Sequence, residues 1–280
     1  MCALTGITHM DTELAAYLEQ VGRVFCAFAE QDSGCIAYGV LSEGRRWFVK
    51  HSDEPRGIAS LRRAIHVNRL VRHPALPRLY HTFTTPAGLA LVYQWVPGEP
   101  LYFSSRTPPE KRSDPRFAPL RYRALPRGQV LASLDTIYEL HLRVAEAGLI
   151  AVDFYDGCLG YDFERSRTYV YDLDEYRPGP FVLDADRLPG SSRFMAPEEF
   201  QRQAVIDQAT NVFALGRTAI LMLGDGSTTF DAWRGTPEMK AVLLRAADPD
   251  RTARYPTVRA FVAAWREVAG EHAEQWGADE

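Results

Sequence analysis

The sequence predicts an α+β protein in two parts, a small β-rich N-terminal lobe followed by a larger, mainly helical lobe. Three observations carry this. Short β-prone runs separated by turn residues crowd residues 24–95. From residue 130 onward, long segments place apolar residues at helical spacing. A chain of 280 residues is too long for one small core and suits two lobes sharing a cleft. The expected organisation is an N-terminal extension over 1–20, lobes over about 21–96 and 97–270, and a tail at 271–280.

Composition narrows the class. With 46% hydrophobic and 24% charged residues the chain reads as an ordinary globular protein. A net charge of −4 argues against a nucleic-acid binder. No apolar run approaches the roughly 20 residues that cross a bilayer, and no basic-then-apolar leader opens the chain. Cys2, Cys26, Cys35 and Cys158 form no CxxC pair, so they read as reduced thiols and a cytoplasmic setting is expected.

The first two strands, residues 24–29 and 36–41, flank Glu30-Gln31-Asp32-Ser33-Gly34. Ser42-Glu43-Gly44-Arg45 is a turn, and the third strand over 46–50 ends in Trp47-Phe48-Val49-Lys50. Only Lys50, Lys111 and Lys240 interrupt a basic set that is otherwise arginine. A compact ammonium on a flexible stem reaches phosphate oxygens from a strand end; a solvent-facing strand end is the plain alternative. Residues 58–72 predict a helix with Leu61, Ala64, Ile65, Asn68 and Val71 on one face. Runs at 79–84 and 88–95 complete five strands and lead into Gln94-Trp95-Val96-Pro97-Gly98. The Pro-, Ser- and Arg-rich stretch 99–126 reads as an irregular surface insertion.

Val130, Leu134, Ile137, Tyr138, His141 and Val144 recur at helical spacing, which makes His141 a packed residue rather than a base. Next comes Val152-Asp153-Phe154-Tyr155-Asp156-Gly157-Cys158, then a hairpin over 161–164 and 168–171. Tyr171-Asp172-Leu173-Asp174 follows, with Asp172 nineteen residues after Asp153. Clustered carboxylates suit a hard divalent ion, although Asp-rich turns also arise from turn chemistry alone. Beyond Gly190-Ser191-Ser192-Arg193-Phe194-Met195-Ala196-Pro197-Glu198, residues 212–223 are apolar nearly all round, as a buried helix is. The last helix carries Val258, Phe261, Val262, Trp265 and Val268 on one face and stops at Gly270.

Lysine, aspartate, aspartate and Ala-Pro-Glu stand here in the order in which protein kinases present their phosphoryl-transfer parts. Over about residues 20–270 the chain resembles the eukaryotic-like serine/threonine protein kinases of bacteria. The resemblance implies a bilobal kinase-like fold that uses ATP and Mg²⁺. It places Lys50 on the nucleotide phosphates, Ser33 and Gly34 in the turn covering them, and Gln94 and Val96 at the adenine-binding hinge. Asp153 becomes the catalytic aspartate, with the Ser191 hydroxyl in contact with it. Asp172 becomes a metal ligand, with Asp156 or Asp174 supplying a second oxygen. Glu198 would pair with Arg254, and Asn211 stands where the family braces its catalytic loop with an aspartate.

The departures are specific. Ala64 occupies the place of the helix glutamate that pairs the strand lysine, so Glu54 or Asn68 would have to substitute. Ala151-Val152 replace His-Arg, Cys158 replaces a metal-binding asparagine, and Asp174 replaces the glycine of D-F-G. Gly34 stands alone where the family has three glycines, and a β-turn explains it equally. A thiol is a soft ligand, poorly matched to Mg²⁺. Three readings follow: an active serine/threonine-type kinase acting on a protein substrate, a pseudokinase serving a regulatory partner, or a small-molecule phosphotransferase. The first is favoured because Lys50, Asp153 and Asp172 are all kept. Retention of Ser191 and Ala-Pro-Glu, both tied to peptide substrates, counts against the third.

Overall fold

The computed structural model describes residues 3–29, 34–104 and 107–270. The chain is mixed α+β, with a β-sheet N-terminal region and a helical C-terminal region. It divides into two compact units. One comprises residues up to Pro97 together with Asp172–Glu175; the other comprises Gly98–Tyr171 and the residues from Tyr176 on.

The first unit runs α1 (Leu14–Val21), β1 (Arg23–Phe28), β2 (Ile36–Ser42), β3 (Arg45–Ser52), α2 (Pro55–Leu70), β4 (Leu79–Thr84) and β5 (Leu89–Gln94). Its strands form one antiparallel sheet in the order β1-β2-β3-β5-β4. The period-two alternation of β3 sorts its side chains between the two faces. Trp47 and Val49 enter a core with Leu4, Met10, Leu14 and Leu18, so the segment set aside as an extension supplies one wall of this unit's core. On the other face, Phe48 packs near the rings of Phe28 and Tyr93. Lys50 shares that face, in register with Ala37 on β2 and Leu91 on β5. Helix α2 begins three residues before the predicted start because Pro55 takes the first helical position, where its missing N–H is not needed.

The second unit contains β6 (Glu99–Pro100), α3 (Ala118–Arg123), α4 (Arg127–Glu146), β7 (Leu149–Ile150), β8 (Leu159–Asp162), β9 (Arg167–Val170), β10 (Arg177–Pro178), β11 (Phe181–Val182), β12 (Val205–Ile206), α5 (Gln208–Leu223), α6 (Pro237–Ala246) and α7 (Val258–Gly270). The stretch 99–126, expected to be irregular, thus contributes β6 and α3. Tyr138 on α4 meets Phe261 and Trp265 on α7 edge-to-face, at 5.1 and 5.9 Å between ring centroids. Helix α5 is buried over nearly its whole length, as its all-round apolar pattern predicts. Asp207 caps it, accepting the Ala209 N–H at 2.9 Å. Among the described residues, no helix is long and apolar enough to cross a membrane.

Candidate functional site

In the first unit, Lys50 is almost wholly buried, and an ammonium removed from water needs compensating charge. Its Nζ donates to Asp172 Oδ1 at 2.7 Å and to Asp174 Oδ2 at 2.5 Å. These partners lie 122 and 124 residues away in sequence. Burial alone would lower the Lys50 pKa, but the two carboxylates overturn that and hold it well above the ordinary lysine value. Asp172, held below the usual carboxylate range by the Lys50 ammonium, keeps 49% of its side-chain surface open, so water screens its share of the pairing. Asp174 is 8% exposed, and burial pushes its carboxyl up to about 6 despite the ammonium. The cluster of one cation and two carboxylates carries a formal excess of negative charge.

The substitutes proposed for the missing helix glutamate do not serve. Asn68 Nδ2 donates to the Ala64 carbonyl at 2.8 Å, within its own helix. Glu54 precedes α2 and lies against Gly34. The partner of Lys50 comes instead from the Asp172–Glu175 turn, and α2 grips that turn through Ser60 and Arg63. Arg63 Nε donates to the Asp174 carbonyl at 2.9 Å, Ser60 Oγ donates to Glu175 Oε1 at 2.7 Å, and Arg63 also pairs with Glu175. The sequence pointer to this grip is the i,i+3 spacing of Ser60 and Arg63, whose partner could not be known beforehand.

Gly34 has a φ of +69°, a left-handed conformation, and a Cβ there would meet Glu54 Oε2 at 2.5 Å. Its carbonyl accepts from Ser52 Oγ at 2.7 Å, tying Gly34 to the end of β3. Ser33, expected beside it, lies outside the described residues. Gln94 closes β5 opposite Trp47, and its N–H donates to the Arg78 carbonyl at 2.8 Å. Val96 follows outside any regular element, half-buried.

In the second unit, the residues on either side of Asp153 are held in place. Asn211 on α5 accepts the Ala151 N–H at 2.9 Å and donates to the Ala151 carbonyl at 2.8 Å. Val152 is buried with Ile150, Leu183 and Met195, and Phe154 packs on the His141 ring at 4.4 Å. Asp153 between them is only half-buried, with φ +63°, uncommon outside glycine but most readily tolerated by Asp and Asn. The Cys158 thiol donates to the Asp153 carbonyl at 3.3 Å, so at this position sulfur secures the loop. Asp156 is buried and pairs with Arg193 at 2.5 Å; burial raises its pKa. The Ser191 carbonyl accepts from Phe194 N–H at 2.9 Å, opening a turn. No hydrogen bond joins the Ser191 hydroxyl to Asp153 among the described residues. The near neighbour of Asp153 there is Gly190, where a Cβ would lie 3.5 Å from Asp153 Oδ1.

Glu198 and Arg254 form a bidentate pair at 2.8 and 3.0 Å. Arg254 also donates to the carbonyls of Asp248, Ala209 and Pro249, so all five of its donors are satisfied. Burial opposes ionisation of Glu198, but Arg254 holds it below the usual glutamate value.

Glu199, also buried, has no such partner cation at hydrogen-bond distance among the described residues. It accepts the Ala196 N–H at 2.6 Å, and burial pushes its carboxyl up to about 8. The folded state therefore holds a proton that the unfolded chain releases near its ordinary value of 4.5. Stability from this group is complete at low pH and declines as pH rises toward 8. Glu199→Gln keeps an acceptor for Ala196 while removing that decline. In urea denaturation at pH 8.5 the variant is expected to be more stable by about 2 kcal/mol or more, because each tenfold change in a protonation equilibrium is worth roughly 1.4 kcal/mol. At pH 5 the two proteins are expected to differ little. Equal stability at pH 8.5 would contradict this.

No family model matches the chain. A receptor like protein kinase S.2 of Arabidopsis thaliana is similar to it, 25% identical over an alignment of 264 positions that covers 85% of this chain and 29% of that protein. The chain thus spans less than a third of that relative. This distant likeness and the sheet-then-helices order are compatible with a kinase-like fold.

Proposed function

We propose that the chain is a kinase-type phosphotransferase that moves the γ-phosphoryl group of ATP to a hydroxyl, on a serine or threonine of a protein substrate. The observation that supports this most is the Lys50–Asp172 pairing, which joins a strand lysine to an aspartate 122 residues away. In this reading Lys50 binds nucleotide phosphates, and Gly34, Gln94 and Val96 contribute backbone around the nucleotide. Asp153 accepts the proton of the attacking hydroxyl. That oxygen forms a bond to the γ-phosphorus while the bond from phosphorus to the β–γ bridging oxygen breaks, and ADP leaves.

The donor set fits a magnesium ion. Mg²⁺ is commonly held by one or two carboxylates plus substrate phosphates, and the half-exposed Asp172 offers hard oxygen. Among the described residues no group of three or more His, Cys, Asp or Glu is placed to hold a metal ion by itself. When bound, Mg²⁺ would neutralise phosphate charge.

Isothermal titration with ATP tests the reading. Binding that is stronger with Mg²⁺ is expected, and Asp172→Asn should remove most of the Mg²⁺-dependent gain because it deletes a charged oxygen ligand. A folded sample showing no binding at millimolar nucleotide would overturn it. A pseudokinase is the second reading, favoured by Cys158 engaging the Asp153 carbonyl and by Asp156 being committed to Arg193.

A further inference from the structure

Both acceptors of the Lys50 ammonium come from one turn, and they are not equivalent. Asp172 is half-open to solvent, so a divalent ion can reach it. Asp174 is 8% exposed, and its backbone carbonyl is held by Arg63 of α2. The next residue, Glu175, is held by Arg63 and Ser60. Helix α2 itself offers Lys50 no charge. Ala64 packs in a small cluster with Leu61, Cys35 and Leu91, and Leu91 is the β5 partner of Lys50 in the sheet register. Ala64 brings only a methyl group to that cluster, and α2 carries no Asp or Glu.

A buried ammonium cannot lose all its compensating charge without a large penalty. An ion drawing on Asp172 would weaken that half of the pairing, and Asp174 would remain. We propose that Asp174 is the positioning residue of Lys50: it supplies the fixed counter-charge that α2 lacks, and α2 acts on the lysine indirectly, through the Arg63–Ser60 grip on residues 174–175. This rests on the nucleotide-binding reading above and divides the labour between the aspartates, Asp172 for the metal and Asp174 for the lysine.

The division has a readout that a metal-ligand role would not produce. ATP affinity is measured by titration calorimetry in excess EDTA and again with Mg²⁺, with thermal melting to confirm folding. Asp174→Asn is expected to weaken binding about tenfold to a hundredfold in both conditions, because a misplaced lysine loses the phosphates whether or not metal is present. Asp172→Asn is expected to weaken binding only with Mg²⁺. Adding Ala64→Glu to Asp174→Asn, which places a carboxylate on α2, should recover most of the loss. Asp174→Glu, which keeps the charge, should stay within about threefold of wild type by the same positioning argument. A loss from Asp174→Asn confined to Mg²⁺ would make Asp174 a metal ligand and overturn the inference. So would an Asn variant equal to wild type, or an Asp174→Glu variant as weak as the Asn variant. Wild-type protein that binds no ATP would overturn the nucleotide reading itself, and this inference with it.

Discussion

Arg254→Ala is expected to lower folding stability by about 3–5 kcal/mol, the scale seen when one partner of a buried ion pair is removed. The size follows from what is left behind. Arg254 is 2% exposed and Glu198 6%, so the orphaned carboxylate has little water to turn to. The carbonyls of Asp248, Ala209 and Pro249 lose a donor at the same time. Thr210 Oγ1, which donates to Glu198 Oε1 at 2.9 Å, is too weak a partner to offset a lost guanidinium. Urea denaturation followed by circular dichroism measures the loss. An exposed pair such as Arg202–Asp186 would contribute a fraction of a kcal/mol, so a loss below about 1 kcal/mol would show that the Glu198–Arg254 pair behaves as a surface contact. Replacing both partners, as Glu198→Leu with Arg254→Met, is expected to be milder than either single change, because no buried charge is stranded.

The second large effect concerns chemistry alone. Asp153→Asn is expected to lower phosphoryl transfer about 10²- to 10⁴-fold, the usual worth of a positioned general base, while leaving ATP affinity nearly unchanged. The substitution suits the site. Asn tolerates φ +63° about as well as Asp, so the backbone conformation and the Cys158 thiol bond to the Asp153 carbonyl are preserved. A fall in transfer matched by an equal fall in ATP affinity would instead indicate a binding role for Asp153.

Elements with a strong local pattern were legible before the structure. The third strand, the apolar helix α5 and the final helix α7 follow their periodicities closely, because burial on one face or all round enforces them. Glu198 with Arg254, and Asn211 with the chain before Asp153, were reachable through motif order and meet as contacts. Helix α1 was not legible: it is eight residues long, Glu13 makes no side-chain cap, and only the core around Leu4, Leu14 and Leu18 justifies it. Helix α6 carries a signal of its own, Thr236 capping Met239 N–H with Pro237 at the first helical position.

The partner of Lys50 lay beyond sequence reasoning for a different reason. A resemblance supplies positions, not alternatives, so it points along α2 to Glu54 and Asn68. The structure places Asp174 there, a residue read as metal-binding. Which of several acidic groups meets a buried cation depends on how a distant turn is held, here by Ser60 and Arg63, and that is a property of tertiary packing.

The most direct test of the central claim is transfer of labelled phosphate from γ-labelled ATP in the presence of Mg²⁺, to the chain itself and to a generic protein substrate. The account predicts Mg²⁺-dependent incorporation on serine or threonine by the wild type, lost in Asp153→Asn. Wild-type protein that binds ATP yet transfers no label to itself, to protein or to water would contradict the account and make the chain a nucleotide-binding pseudokinase.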